Sequence, residues 1–238
     1  MERVFKLYEN HFIFRKTHPN WSVLNDDVVT RCLQLIKSGY IYPLLERGSE
    51  GQKIVLMNQG KFDIENYSVD ATFPLILNGL FMLLEDEHTQ VFGIELIVNY
   101  TDVTLKYFSS FSLQDHMDFV QFGLKAAPGR FKKYYLVNMP AFASKMVSVV
   151  KLAMSEKMKS RLCIVKNIKE LSKYVEVLPR EMGGKIPESE MIESFQKAFV
   201  ANVGQMKIIN DFSFDLEKTV CDQKQTENVG SFRKLEID

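Results

Sequence analysis

Apolar positions along the chain switch repeatedly between a 3.6-residue and a 2-residue period, and the switches mark out alternating helices and strands. Val4, Leu7, Tyr8, His11, Phe12 and Phe14 form a helical stripe that opens within a few residues of Met1, without a capping residue before it. Asn25, Asp26 and Asp27 read as an N-cap with an acidic first turn, and the helix they start should stop at Gly39. A turn at 48–51 precedes a strand over 53–57. Residues 69–87 predict a helix with Phe73, Ile76, Leu77, Leu80, Phe81 and Leu84 inward, followed by a strand over 94–100. Then come a helix over 112–125, strands over 134–137 and 162–165, a helix over 168–174 and a last helix over 191–203. Strands alternating with helices need crossovers, so the pattern implies an α/β fold: a mostly parallel, open sheet covered by helices. The segment 222–227 is polar and expected to be mobile, and no internal repeat is visible.

The stretch 134–161 carries the most information. Asn138 and Pro140 close its strand, because proline cannot donate to a ladder and disfavours a helical residue before it. Phe142, Ala143, Met146, Val147, Val150, Ala153 and Met154 then form one apolar helical face, with Ser144, Lys145, Ser148, Lys151 and Ser155 opposite. The helix is expected to end in Glu156, Lys157, Lys159 and Arg161, whose three cations suit the negative end of its dipole. Periodicity alone fits an ordinary surface helix. Two features add to that: methionines on the apolar face, which adapt to changing surfaces, and cations on both sides, Arg130, Lys132 and Lys133 before and Lys157, Lys159 and Arg161 after.

Composition narrows the function classes. The 238 residues suit one main domain, and 30 basic against 30 acidic residues leave no global field to draw the protein to nucleic acid. Electrostatic targeting must come from a local patch. Three cysteines, Cys32, Cys163 and Cys221, lack zinc spacing and point to a reducing compartment, and the charged N-terminus has no signal-peptide core. The longest apolar runs, such as Leu80 to Leu84, fall short of the ~20 residues that span a bilayer. The expectation is a cytoplasmic protein, transiently associated with membranes. No nucleophile elbow, phosphate loop, dinucleotide fingerprint or zinc-protease motif is present, so no enzyme, cofactor or metal is expected. His11, His18, His88 and His116 are scattered and read as surface or capping residues; Glu85, Asp86 and Glu87 read as solvating a helix end, and Cys163 as core. The hydrophobic share of 46%, with 18 Phe and 11 Met, fits a tight core, and a lipid pocket uses the same residue types turned inward.

The 134–161 stretch, with its strand, Asn-x-Pro, apolar helix and Ser-Glu-Lys-x-Lys-x-Arg, resembles the gate segment of the CRAL-TRIO lipid-binding family. Gly60, Lys61, Phe62, Asp63 and Tyr67 match that family's G-K-F-D-x-x-x-Y, and Leu84, Glu85, Asp86, Glu87, Thr89, Gln90 and Gly93 its L-E-D-E-x-T-Q-x-x-G. Leu178, Pro179, Glu181, Gly183 and Gly184 match L-P-x-E-x-G-G, and Phe14, Arg15, Lys16, His18 and Pro19 resemble F-R-K-x-x-P. The resemblance implies a mobile gate helix, with Phe142, Met146, Val150 and Met154 on its lid face, over a hydrophobic pocket. Carried over by position, the pocket walls are Phe73, Leu77, Leu80, Ile94, Leu96, Val98, Phe119, Phe122 and Tyr134. Where the family places serine hydroxyls near a ligand's polar end, this chain has Ile76 and Leu80, and the aspartate usual after the second strand is Asn99. That departure favours a more apolar or differently shaped ligand.

The resemblance also implies that Arg130, Lys157 and Arg161 hold a phosphoinositide headgroup of an anionic membrane, with Lys132, Lys133 and Lys159 adding to the patch. It divides the chain into a remnant of an N-terminal helical region (1–26), the lipid-binding domain (27–187) and a C-terminal helix and tail (188–238). The family's arginine-rich N-terminal lobe has no counterpart here, which implies exposed apolar surface at Val4, Leu7 and Phe12, whereas Val229 to Leu235 resembles the tail of many members, so the C-terminus reads as intact. The expected function is a carrier that binds an isoprenoid, retinoid, tocopherol-like or fatty lipid and transfers it to membranes. The alternatives are a phosphoinositide-binding adaptor with little net transfer, an enzyme acting on a bound lipid, and a shortened form that binds poorly.

Overall fold

The two runs richest in aliphatic residues become the parallel centre of a five-stranded sheet, as expected where helices cover the strands and leave little room for polar alternation. The computed structural model describes residues 2–212 except 68 and 153, so Cys221, the polar segment 222–227 and the family-like ending lie outside the described residues. In chain order the elements are α1 (Glu2–Thr17), α2 (Asp26–Lys37), β1 (Ile41–Pro43), β2 (Lys53–Asn58), α3 (Thr72–Leu84), α4 (Glu87–Phe92) and β3 (Ile94–Asn99). They continue with α5 (Leu105–Ser110), α6 (Leu113–Gln121), β4 (Phe131–Val137), α7 (Ala141–Leu152), α8 (Glu156–Lys159), β5 (Leu162–Val165) and α9 (Glu188–Asp211). The strand order is β1-β2-β3-β4-β5, with β1 antiparallel and the other three pairings parallel. Each parallel connection steps one strand further in the same direction, so right-handed crossovers bring α3, α6 and α7 to one face of the sheet.

Local chemistry sets most boundaries. Asn25 caps α2, its side chain accepting from the Val28 N–H at 2.9 Å, and Gly39 at φ 78° ends it in the left-handed region. The long helix expected over 69–87 is two helices: Asp86 takes an extended conformation and accepts from the His88 N–H, starting α4 afresh. The helix expected as a gate is α7, Ala141–Leu152, and the cationic end expected of it belongs to the separate α8. Residues 168–174 form two short 3-10 turns rather than one helix, and α6 runs into a π-helical turn at Phe122–Ala126. The three residues of β1 are too few for periodicity to reveal. Cys163 is half-buried rather than core.

The α1 helix packs on that π-helical turn. His11 is 5% exposed, against the surface role expected of it, and its Nδ1 meets the Ala126 carbonyl at 2.9 Å. Arg15 donates to the carbonyls of Ile209 and Asn210, tying α1 to the end of α9. Exposed apolar surface remains at Val4, Phe5 and Tyr8, while Leu7 and Phe12 are half-buried.

The strand register is held at both ends. At the start of β3, Gly93 sits at φ 79°, ψ −173°, a region open essentially to glycine alone, and an added Cβ would lie 2.5 Å from the Arg130 carbonyl. At the far ends, the Asn99 side chain donates to Asn58 Oδ1 at 3.1 Å and accepts from Asn138 Nδ2 at 3.2 Å, linking three successive parallel strands.

Gly93→Ala is expected to destabilise the fold by about 2 kcal/mol or more, from backbone strain plus the carbonyl clash; urea unfolding measures it, and a loss near zero would contradict this role. Burial also lowers the His11 pKa from 6.5, so the folded state binds fewer protons than the unfolded chain below that pH. The stability tied to neutral His11 is thus present above about pH 6.5 and lost as pH falls. His116 is shifted the same way. His11→Gln, which keeps a donor to Ala126 but does not titrate, should therefore show a smaller drop in melting temperature between pH 7 and pH 5 than the parent.

Candidate functional site

Strand pairing aligns side chains into rows on the face that α3, α6 and α7 cover. Pro43, Val55, Leu96, Tyr134 and Leu162 stand in one row, and Ile41, Met57, Val98 and Leu136 in the next. Between these rows and the helices lies a cavity of about 250 Å³. Its walls are overwhelmingly apolar, and smaller cavities of that lining stay dry and take up apolar molecules.

From α3 come Phe73, Ile76, Leu80 and Leu83, spaced at i, i+3, i+7 and i+10 on one helix face. The α6 helix and the turn after it contribute Phe119 and Phe122, and β3 contributes Ile94, Leu96 and Val98. Tyr134 of β4 lines the cavity as well. Leu77 is the exception: it is 1% exposed but belongs to the core, one position round α3 from Ile76. On the lid side Val147, Val150 and Met154 reach the cavity. Phe142 does not, packing instead edge-on against Phe108 at 5.4 Å, and the Met146 side chain lies outside the described residues.

The cavity has polar features that periodicity did not signal. Tyr40 and Tyr107 pair through their hydroxyls at 3.1 Å, and burial pushes the Tyr40 phenol up to about 12. Gln59 Oε1, Thr72 Oγ1, His116 Nε2 and Tyr134 OH are buried without a hydrogen-bond partner, and all four residues line the cavity. Burial lowers the His116 pKa, so its ring is neutral near pH 7. Burial raises the Tyr134 phenol, against a smaller opposing effect of the Arg161 charge. His116 had been taken for a surface residue, but it precedes Phe119 by one helical turn and so shares its face.

The other sheet face has different chemistry. Glu95, 2% exposed, accepts from the Tyr174 hydroxyl and from Gln52 Nε2 at 3.3 Å, with Lys173 at 4.0 Å. This network fastens the 3-10 turn at Ser172–Tyr174 across the sheet.

The cations collect near the starts of β4 and β5. Lys133 Nζ donates to the Ser160 carbonyl at 3.3 Å, and the Tyr134 N–H to the Arg161 carbonyl at 2.9 Å. Lys157 is exposed on α8, and Arg130 donates to the Val91 carbonyl at the end of α4. Lys132 and Lys159 are held in ion pairs with Glu50 (2.6 Å) and Glu156 (2.7 Å). Among the described residues, no cluster of three His, Cys, Asp or Glu is placed to hold a metal, and no helix is long and apolar enough to cross a membrane.

A family model described as the CRAL/TRIO domain matches residues 37–184. Among curated proteins, Clavesin-2 of Homo sapiens is 26% identical over 161 residues, covering 66% of this chain and 49% of its own. The Alpha-tocopherol transfer protein-like protein of Homo sapiens is 24% identical over 193 residues, covering 79% and 55%. The chain thus spans about half the length of the curated relatives it matches. A crystal structure of Sfh5 superposes with a TM-score of 0.50 at 15% identity, over 72% of this chain and 64% of that one, a likeness of fold.

Filling the cavity from its lid side tests whether it is the binding volume. Val150→Trp, at a 7% exposed position on the wall, should weaken binding of a fluorescent apolar dye at least about tenfold while costing at most ~1–3 kcal/mol of stability. Undiminished dye binding would locate the site elsewhere.

Proposed function

Because the chain belongs to the CRAL/TRIO domain family, we propose that it binds one hydrophobic small molecule in the cavity under α7 and delivers it to membranes at an anionic, phosphoinositide-bearing surface. The observation that carries this reading is the apolar cavity itself, walled by the sheet and closed by an amphipathic helix. A ligand with about 15 apolar carbons gains on the order of 12 kcal/mol on burial, at about 0.8 per methylene. A bilayer offers nearly the same energy. Uptake and release are then closely balanced, and direction comes from a gate that opens where a membrane stabilises the open form.

The α7 helix suits that part, because it is apolar on two sides: Val147 and Val150 point inward while Val149 and Leu152 are 52% and 83% exposed. An outward apolar surface on a lid gains from contact with lipid. The cations at the starts of β4 and β5 would hold this face against an anionic leaflet at roughly 1 kcal/mol each, in a salt-dependent way.

Native mass spectrometry of the gently purified protein, followed by organic extraction, is the direct test. A single stoichiometric apolar molecule is the expected result; a folded but empty protein that still binds phosphoinositide liposomes would support a membrane adaptor instead. Lys157→Ala with Arg161→Ala should weaken phosphoinositide liposome binding roughly thirtyfold at low salt, for two cations at ~1 kcal/mol each, with the difference shrinking as salt rises. Unchanged sedimentation with liposomes would remove these residues from the docking surface.

A further inference from the structure

The unpartnered polar atoms in the cavity define what a ligand must offer. Thr72 and Gln59 are only 3% and 7% exposed, so an unmet Oγ1 and Oε1 there are costly unless something binds them. The Thr72 hydroxyl lies beside the Tyr40 phenol yet outside hydrogen-bond geometry. The phenol of Tyr40 already has Tyr107 as its partner. His116 belongs to the same end: the Phe111 ring lies 5.7 Å from His116, 5.2 Å from Tyr107 and 6.2 Å from Phe73, which follows Thr72 in α3.

The chemistry of these atoms is selective. The His116 ring lies beside the Phe108 backbone, and its Nε2, like the acceptor Gln59 Oε1, is left without a partner. An acceptor in an apolar cavity needs a ligand that donates, and Thr72 can in turn donate to that ligand's oxygen. A hydroxyl meets both needs with one atom. A carboxylate meets only the second, and its charge would enter a cavity whose described lining contains no Lys or Arg but does contain Asp115. Asp115 is itself engaged by the Ser112 N–H at 2.8 Å and hydroxyl at 2.7 Å.

We propose that the cavity takes a neutral, hydroxyl-bearing apolar molecule, with its hydroxyl at the end where His116, Thr72 and Gln59 gather, and that it discriminates against the corresponding carboxylate. This rests on the cavity being the ligand site. It supplies by other residues the polar contact that Ile76 and Leu80 cannot make. Tyr134 stands four residues back along the strands and two strands across from Gln59, a backbone separation of roughly 16 Å, toward the other end of the strand rows. That end is nearer Arg161 and so is where a carboxylate would find a favourable charge.

The test is displacement of Nile red from the full chain by dodecanol, dodecanoate and dodecane at pH 8. Dodecanol is expected to bind about tenfold more tightly than dodecane, the worth of one or two net hydrogen bonds, and tighter still relative to dodecanoate. In the double variant His116→Phe, Thr72→Val that advantage should disappear, while dodecane, with nothing to donate, binds at least as well as before; retained dodecane binding also certifies that the variant folds. Dodecanoate binding as tightly as dodecanol, or an alcohol preference that survives the double variant, would overturn the proposal. So would a carboxylate preference abolished by Tyr134→Phe, which would put the headgroup at the other end. Nile red that binds and is displaced without regard to headgroup sinks this inference alone, whereas failure of any apolar probe to bind sinks the cavity reading with it.

Discussion

Parallel pairing of β3 with β2 on one side and β4 on the other is the constraint on which the rest of the molecule depends. Side chains alternate along a strand, so a slip of one residue would send Glu95 and Ile97 to the cavity and Leu96 and Val98 to the opposite face. Two local devices prevent this. Gly93 brings the chain into β3 through a backbone conformation that other residues resist, and the Asn58, Asn99 and Asn138 side chains tie the strands together where they end. Asn99 stands where the family usually has an aspartate; an amide both donates and accepts, so it bridges its two neighbours without a charge.

With the register held, the sheet separates two kinds of chemistry. One face is an apolar wall with Val55, Leu96 and Tyr134 in a row, and the other carries a buried carboxylate satisfied by Tyr174, Gln52 and Lys173. Satisfied polar groups on the second face rigidify it, because breaking such a network leaves charge unpaired in a low dielectric. The first face, by contrast, loses little when its covering helix lifts into an equally apolar medium. In the proposed reading, that difference assigns the motion to the α7 side and the frame to the Tyr174 side.

The cavity's specificity follows from the same division. Aliphatic walls select for size and dryness, and a bilayer satisfies those demands equally well. In the proposed reading, discrimination then rests on the few buried polar atoms that the fold leaves without partners, at Gln59, Thr72, His116 and Tyr134. Each is costly when empty and satisfied when filled, which makes the polar end of a ligand count for more than its small area suggests.

The α/β alternation, the strands at 94–100 and 162–165, the Asn25 cap and the Gly39 stop were legible in the sequence because each depends on neighbours within a turn or two of chain. Most of the cavity wall was legible too, since family position carries the face of a strand: Leu96 and Val98 could not point elsewhere once the strand was placed. Only the tertiary structure separated Leu77 from Ile76 and Phe142 from Val147, because a helix's apolar stripe does not say which of its residues meets the core and which the cavity. It alone divided residues 69–87 at Asp86, where a capping bond outweighed an unbroken apolar pattern, and separated α7 (Ala141–Leu152) from α8 (Glu156–Lys159). It also moved His11 from the surface into the interior and turned the half-buried His116 toward the cavity, for a histidine's place is decided by the carbonyl or ring that meets it, here Ala126 and Phe111, which lie far along the chain or around a loop and leave no mark in local periodicity.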